Sequence, residues 1–293
     1  MKKGVLQILK GIGYFLGYFM AQIVVTFVIA VGYMVKLTAD MTIQGGQMDQ
    51  VAFSNQLLEV VLSKVTLISL LSNLLCFAVI ALVFLILKKK WYQEVNLKRF
   101  SLSYLPYLLL LGIALILMVN FGLELLPRSV LEAYSEQASM IGDDTSLIGI
   151  IAVVIVAPVF EEIFFRGLLL STLRKGMSTG LAIFLSAVIF GVAHGQILWM
   201  AYTFIVGLVF AYVVVKTGSI ATSMVLHIVF NFFGDIVGRY IPELSNSVNA
   251  ILAVVGAIGV AAILLALRNQ QNAEEATVDE QALSEEEDLH TII

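Results

Sequence analysis

Residues 157–167 read APVFEEIFFRG, which places two glutamates and an arginine inside an apolar segment that extends from about residue 146 to residue 172. Glu162 and Arg166 are spaced i, i+4 with the acid first, so on a helix their charged groups can meet on one face. Glu161 points about 100° away around the helix and has no intrahelical partner. Because ionisable side chains inside a bilayer are costly and tend to mark function, this segment is the first candidate for a functional site.

The composition indicates an integral membrane protein. Of the 293 residues, 60% are hydrophobic and 13% are charged, and the mean hydropathy is +0.97. A soluble domain of this length could not bury so much apolar surface. The single cysteine, Cys76, lies in an apolar run. This excludes a disulfide framework and a cysteine-based metal site, and it favours a small buried hydrophobe.

The chain contains eight apolar segments of about the length that a membrane helix requires, roughly 20 residues. We therefore predict an all-α, polytopic membrane helix bundle of about eight transmembrane helices. The segments are residues 11–36, 65–87, 104–126, 146–172, 179–195, 197–215, 219–236 and 248–267. The four segments before the last carry the polar residues and are separated by short connections.

Lysine and arginine are distributed unequally between the two sides of this predicted bundle. With eight spans and both termini on one side, that side receives twelve basic residues and the opposite side receives four: Lys36, Lys64, Arg128 and Arg239. Because cytoplasmic loops are enriched in basic residues, both termini are predicted to be cytoplasmic. The N-terminal apolar stretch has no small-residue cleavage pattern, so we interpret it as a retained helix rather than a signal peptide.

Four regions are predicted along the chain. Residues 1–145 form N-terminal transmembrane helices and an external loop, residues 146–236 form a helical core that carries the polar motifs, and residues 237–267 form a C-terminal transmembrane helix. Residues 268–293 carry eight acidic residues and no basic residue after Arg268, which is typical of a disordered cytoplasmic tail. A basic partner of this tail is an open alternative, whereas no nucleic-acid partner is expected.

Two further motifs lie on apolar segments of the same core. Phe190 and His194 are spaced i, i+4, and so are His227 and Asn231. The second pair belongs to a polar stripe on one helix, which must face protein or water: Ser223, His227, Asn231 and Asp235. Each group alone could serve only helix packing. Two histidines, two glutamates, an arginine and an asparagine on three helices together predict an active or transport site.

The order of these motifs resembles that of the CPBP intramembrane proteases, also called the Abi family, which include type II CAAX prenyl endopeptidases and bacteriocin-immunity proteins. The resemblance covers residues 146–236 and rests on Glu161-Glu162-x-x-x-Arg166, Phe190-x-x-x-His194 and His227-x-x-x-Asn231. It implies an eight-helix fold, a site that opens toward the cytoplasm, and hydrolysis of a peptide bond.

The residues allow two mechanisms for that hydrolysis. In the first, Glu161 with His194 activates a water molecule, while His227 and Asn231 hydrogen-bond the oxyanion of the tetrahedral intermediate. Glu162 is the less free of the two glutamates because of its intrahelical partner, although it could share the role of the base. In this mechanism two further residues give structural support: Arg166 and Phe190.

The second mechanism uses zinc, bound by His194, His227 and either Glu161 or Glu162, with the other glutamate as base. The chain lacks the His-Glu-x-x-His helix that zinc proteases commonly use. Asn231 lies one turn from His227 and is a good oxyanion donor but an uncommon zinc ligand. We therefore favour a mechanism without a cofactor and keep zinc as the alternative.

The expected substrate is a peptide or a segment of a membrane-associated protein. The resemblance suggests processing of CAAX tails, or processing of bacteriocins or peptide pheromones with a role in self-immunity. The compact size and the lack of an organelle-targeting sequence predict a multi-pass protein of a bacterial plasma membrane.

Two other classes of function stay open. A proton-coupled transporter would use the same intramembrane glutamates, histidines and arginine as a relay. Such proteins commonly contain internal repeats, and residues 1–126 hold no second copy of the motifs. A non-catalytic membrane scaffold is the other class, and the intact set of site residues argues against it.

Overall fold

A computed structural model describes residues 2–44, 49–140 and 146–292, and within these ranges the chain is helical and contains no strand. The predicted all-α, polytopic membrane helix bundle is confirmed. The first half consists of α1 (Lys2–Gln44), α2 (Gln50–Ser63), α3 (Val65–Ile86), the short α4 (Trp91–Glu94), α5 (Leu105–Leu123) and α6 (Arg128–Met140). The helix α6 forms most of the predicted external loop, whose residues 141–145 lie outside the described ranges.

The second half begins with one long helical segment, Leu147–Arg174, in which α-helical and π-helical turns alternate. It comprises α7 (Leu147–Ile151), a π-helical turn (Ala152–Val156), α8 (Ala157–Glu162), a longer π-helical stretch (Ile163–Leu170) and α9 (Ser171–Arg174). The helices α10 (Thr179–Val192), α11 (Ile197–Thr217) and α12 (Ile220–Asn231) follow, then a π-helical turn (Phe232–Val237) and α13 (Asn246–Ile292).

Seven helical segments in the described part of the chain are long and apolar enough to cross a membrane, one fewer than predicted. The exception is the predicted span 179–195, of which only Thr179–Val192 is helical. These 14 residues extend about 21 Å, less than the roughly 30 Å of a bilayer core. The helix ends here because Gly195 adopts a left-handed conformation, with φ of 74°, and the Gln196 side chain caps α11.

Contacts between connecting segments define the two ends of the bundle. At one end, Gly4 packs against Gly176, and the Ser219 hydroxyl donates to the carbonyl of Lys98 over 2.6 Å. At the other end, the Trp199 indole N–H donates to the Tyr134 hydroxyl over 2.8 Å. The helix α10 therefore runs from the first end toward the second, as the predicted alternation requires. The assignment of the first end to the cytoplasm stays a prediction.

The acidic C-terminal segment belongs to the last helix of the chain. The helix α13 continues without interruption from Asn246 to Ile292, so the backbone of residues 268–292 is helical. This segment contains neither glycine nor proline and is rich in alanine, glutamate and glutamine, which are strong helix formers. That residues 268–293 form a disordered cytoplasmic tail stays a prediction.

Two apolar clusters form the interior. The first surrounds the π-helical stretch Ile163–Leu170 and includes residues of α1, α3 and α10, among them Phe190. The second joins α5, α11, α12 and α13 and includes Phe210. The polar motifs predicted from the sequence lie where these two clusters meet.

Candidate active site

The predicted intrahelical ion pair is present and completely buried. The Arg166 Nη1 atom lies 2.9 Å from Glu162 Oε1, and the side chains are 1% and 0% exposed. Both residues belong to the segment Leu147–Arg174, in which the i, i+4 spacing brings the two charged groups together. Each charge neutralises the other, which lowers the cost of holding both inside the bundle.

The Arg166 guanidinium is enclosed by two helices that follow later in the chain. Its Nη2 atom donates to the carbonyl of Gly207 over 3.3 Å, and its Cζ atom lies 4.2 Å and 5.2 Å from the ring centroids of Phe190 and Phe210. A side chain at Gly207 would lie 3.0 Å from Phe190, so the glycine permits this close packing. The guanidinium is therefore held by a carboxylate, a carbonyl and two aromatic faces.

His227 connects the two glutamates. Its Nδ1 atom lies 2.9 Å from Glu162 Oε1, and its Nε2 atom lies 3.8 Å from Glu161 Oε2. The carboxylate can only accept a hydrogen bond, so the network assigns a proton to Nδ1. Nε2 is consequently the nitrogen that faces Glu161.

The two glutamates differ in their accessibility. Glu162 is fully buried, and its Oε1 atom accepts hydrogen bonds from both Arg166 and His227. The Glu161 side chain is 16% exposed and lies opposite the outward nitrogen of His227. Glu162 is therefore enclosed with its two partners, whereas part of the Glu161 side chain is exposed.

His194 approaches the cluster across the ring of Phe190. The centroids of the two rings are 4.8 Å apart, and the Phe190 centroid also lies 6.0 Å from that of His227. The His194 Nδ1 atom lies 2.8 Å from the carbonyl of Phe190, one turn earlier in the chain, which leaves Nε2 as its outward nitrogen. Within the described ranges no hydrogen bond joins His194 to Glu161, although the two interact electrostatically.

Asn231 lies one helical turn beyond His227 and is anchored to a different helix. Its Nδ2 atom donates to the carbonyl of Val153 over 2.9 Å. The structure thus connects Glu161, Glu162 and Arg166 with Phe190 and His227, and it places His194 and Asn231 beside them. Ser223 of the predicted polar stripe donates to the carbonyl of Ile220 in its own helix and also interacts with the Glu162 side chain. That the polar side chains share one water-accessible cavity stays a prediction.

Three residues of this arrangement were not predicted: Val153, Gly207 and Phe210. Val153 and Phe210 are ordinary apolar residues in apolar runs and carry no sequence signal. Gly207 is the only glycine within α11, and a small residue inside a bulky apolar helix is a recognisable sign of close helix contact.

A zinc site would require His194, His227 and a glutamate to converge on one point. In the part of the chain that the structure describes, no group of three or more His, Cys, Asp or Glu side chains is arranged so as to hold a metal ion. Glu162 is already bound to Arg166 and His227 through its Oε1 atom. The donor set therefore does not fit a three-ligand zinc site in the conformation described.

The fold and this cluster define a class, a multi-pass membrane protein with a buried cluster of glutamate, arginine and histidine side chains inside its helix bundle. Residues 143–233 match the family described as type II CAAX prenyl endopeptidase Rce1-like. The match is consistent with the CPBP family and confirms the resemblance predicted from the motifs. It includes every predicted site residue, from Glu161 to Asn231. A search of the curated proteins and of the solved structures finds no match.

Proposed function

We propose that this chain hydrolyses a peptide bond with a water molecule activated by Glu161. The observation that carries the proposal is the division between the two glutamates: Glu162 is occupied by Arg166 and His227, whereas Glu161 is partly exposed. A general base must reach the proton it removes. In the proposed reaction Glu161 takes a proton from water, the oxygen attacks the carbonyl carbon, and the same proton passes to the leaving amine as the C–N bond breaks.

His227 and Asn231 stabilise the oxyanion in this proposal. His227 Nδ1 donates to Glu162, so Nε2 can donate to an oxyanion only in the protonated, cationic imidazole. A cationic His227 together with Arg166 balances the two glutamates, and a cluster without net charge is the least costly one inside a membrane. The amide of Asn231 has two N–H groups, of which one donates to Val153 and one is left for the oxyanion.

His194 assists Glu161 through its outward nitrogen. Its Nδ1 atom is taken by the carbonyl of Phe190, and Nε2 is free to bind the attacking water. The aromatic contact with Phe190 keeps the imidazole in place. This is the arrangement in which a second group positions the water that the base deprotonates.

The proposed substrate is a peptide or the C-terminal tail of a membrane-associated protein. The matched family is described by its action on prenylated CAAX tails, and a prenylated tail would enter the bilayer at the level of an intramembrane site. Processing of a bacteriocin or a peptide pheromone, and a role in self-immunity, are alternatives within the same reaction. A bacterial plasma membrane is the proposed location.

Peptide cleavage by the purified protein tests this proposal. Wild type, Glu161→Gln and the control Glu124→Gln, which alters an exposed acid of the N-terminal region, would be incubated with a peptide pool that includes prenylated CAAX tails. We expect new termini by mass spectrometry with wild type and the control but not with Glu161→Gln. Equal cleavage by all three would overturn the proposal.

The same samples test the zinc mechanism and the other classes. Cleavage that persists with a zinc chelator supports the metal-free mechanism, and loss that is restored by added zinc supports the metal form. Cleavage by none of the three proteins would favour the transporter or scaffold functions. In that case a phenotype that survives Glu161→Gln would indicate the scaffold.

A further inference from the structure

The backbone just before Glu161 contains a π-helical turn with an unusual consequence. In the turn Ala152–Val156, the N–H of Ala157 donates to the carbonyl of Ala152, five residues earlier. In the same register, the carbonyl of Val153 would accept from residue 158. That residue is proline, which has no N–H, so the helix itself cannot supply this donor.

The missing donor comes from α12. Asn231 Nδ2 lies 2.9 Å from the carbonyl of Val153, 78 residues away in the chain. Inside a bilayer a carbonyl without a partner is costly, so the two groups stabilise each other. Because a carbonyl accepts only, the contact also orients the Asn231 amide with its NH₂ group toward Val153.

We infer that Pro158 is a positioning residue for Asn231. Pro158 leaves the carbonyl of Val153 without a donor from its own helix, and Asn231 donates one N–H to it. This bond fixes the orientation of the amide, so that the second N–H is available for the oxyanion of the proposed reaction. The inference rests on the proposed function for its kinetic consequence, since Asn231 acts on the oxyanion. The structural part, that Pro158 decides what Asn231 binds, holds independently of any reaction.

The chain offers a matched control in Pro106. It lies in the first turn of α5, where a backbone N–H has no partner within the helix in any case. Pro106→Ala therefore adds an N–H at a position where the helix provides no carbonyl to accept it. Pro158→Ala supplies an N–H that competes with Asn231 for the carbonyl of Val153, and it also makes the helix more regular.

The kinetic test uses hydrolysis of a farnesylated CAAX peptide by wild type, Pro158→Ala, Pro106→Ala, Asn231→Ala and the double variant Pro158→Ala/Asn231→Ala. Loss of an oxyanion donor predicts a decrease in kcat of about 100-fold for Asn231→Ala. We expect a decrease of about 10-fold for Pro158→Ala with KM nearly unchanged, and no further loss in the double variant, because both changes act through one group. The Tm of Pro158→Ala should be equal to or higher than that of the wild type.

Two kinetic outcomes would overturn the inference while leaving the proposed function intact. One is a kcat of Pro158→Ala equal to that of Pro106→Ala. The other is a double variant whose loss is the product of the two single losses, which would show that the residues act separately. A parallel loss of activity and thermal stability in Pro158→Ala would indicate a merely structural proline, and it would also count against the inference.

A readout without activity separates this inference from the proposed reaction. In protein labelled with ¹⁵N at asparagine, the side-chain amide signal that disappears in Asn231→Ala belongs to Asn231. We expect that signal to shift and to exchange faster with solvent in Pro158→Ala, and to stay unchanged in Pro106→Ala. An unchanged signal in Pro158→Ala overturns the inference, whether or not the wild type cleaves any peptide.

Discussion

The spans Gly4–Ile43 and Leu147–Arg174 have nearly the same mean hydropathy, 2.1 and 2.4, but the first is mostly exposed on the outside of the bundle and the second is much more enclosed by other helices. In the most apolar window of the first, 11% of the residues are buried, against 39% in the second. Phe27 of the first span is 67% exposed, whereas every residue of Ile163–Leu170 is buried. Hydropathy thus identifies a segment that a membrane accepts, and the polar residues identify the segment that other helices enclose.

The largest expected effect is loss of activity in Glu161→Gln. Removal of a general base in this position should lower kcat by at least about 10²-fold, the lower end of what such a group contributes. Because Glu161 is partly exposed and has no cation as its own partner on the helix, stability should change little. Cleavage rate and thermal unfolding in detergent would be measured together with Glu162→Gln, which should lower both.

The next largest effect is on stability, and it compares a buried arginine of the segment Leu147–Arg174 with an exposed arginine at the end of the same segment. Arg166→Met leaves Glu162 buried without its intrahelical cation, and breaking a buried ion pair by removal of one partner costs about 3–5 kcal/mol. Arg174→Met, at an exposed position of the same segment, should cost little. Unfolding by denaturant in detergent would measure both, and equal losses would contradict the assigned role of the buried pair.

A smaller effect on stability is expected when a glycine is replaced by alanine, and its size should depend on whether the glycine lies in the enclosed core or on the exposed helix α1. An alanine Cβ at Gly207 would lie 3.0 Å from Phe190 and 3.3 Å from Ala187, so Gly207→Ala should cost about 1–3 kcal/mol through overpacking. Gly17 in α1 has no neighbouring atom within 4 Å of the same position. Gly17→Ala should therefore be neutral or stabilising by up to about 1 kcal/mol, through helix propensity. Thermal unfolding of the two variants makes the comparison, and a destabilised Gly17→Ala would contradict it.

The smallest effect should come from the exposed face of α1. Phe27→Leu changes a side chain that is 67% exposed and should alter stability by less than about 0.5 kcal/mol. The corresponding change at the buried Phe165, which is 1% exposed, should cost more because it opens a gap in the core. Comparable losses at both positions would show that α1 is enclosed in the membrane by a partner.

Local spacing predicted the parts of this site that lie on one helix. The pair of Glu162 and Arg166 follows from an i, i+4 spacing, and so does the placement of His227 and Asn231 one turn apart. The boundary of the predicted span 179–195 was wrong by a few residues. The left-handed turn at Gly195 ends the helix early, and apolar composition does not detect a turn.

Contacts between helices were beyond the reach of the sequence. The bond of His227 to Glu162 joins residues 65 positions apart, and that of Asn231 to Val153 joins residues 78 positions apart. Spacing along a helix says which face a residue occupies, but not which residue of another helix it meets. For this reason the sequence indicated that Glu162 is the less free glutamate, but not that His227 is its second partner.

By itself, the sequence determined that the chain crosses a membrane several times and which residue types the functional segment carries, because burial in lipid depends on composition and helix faces depend on spacing. Only the tertiary structure decided that Glu162 also holds His227, that Glu161 stays partly exposed, and that Asn231 binds the carbonyl of Val153. The physical reason is that a polar group inside a bundle must find its partners on neighbouring helices. Those neighbours exist only once the helices have packed.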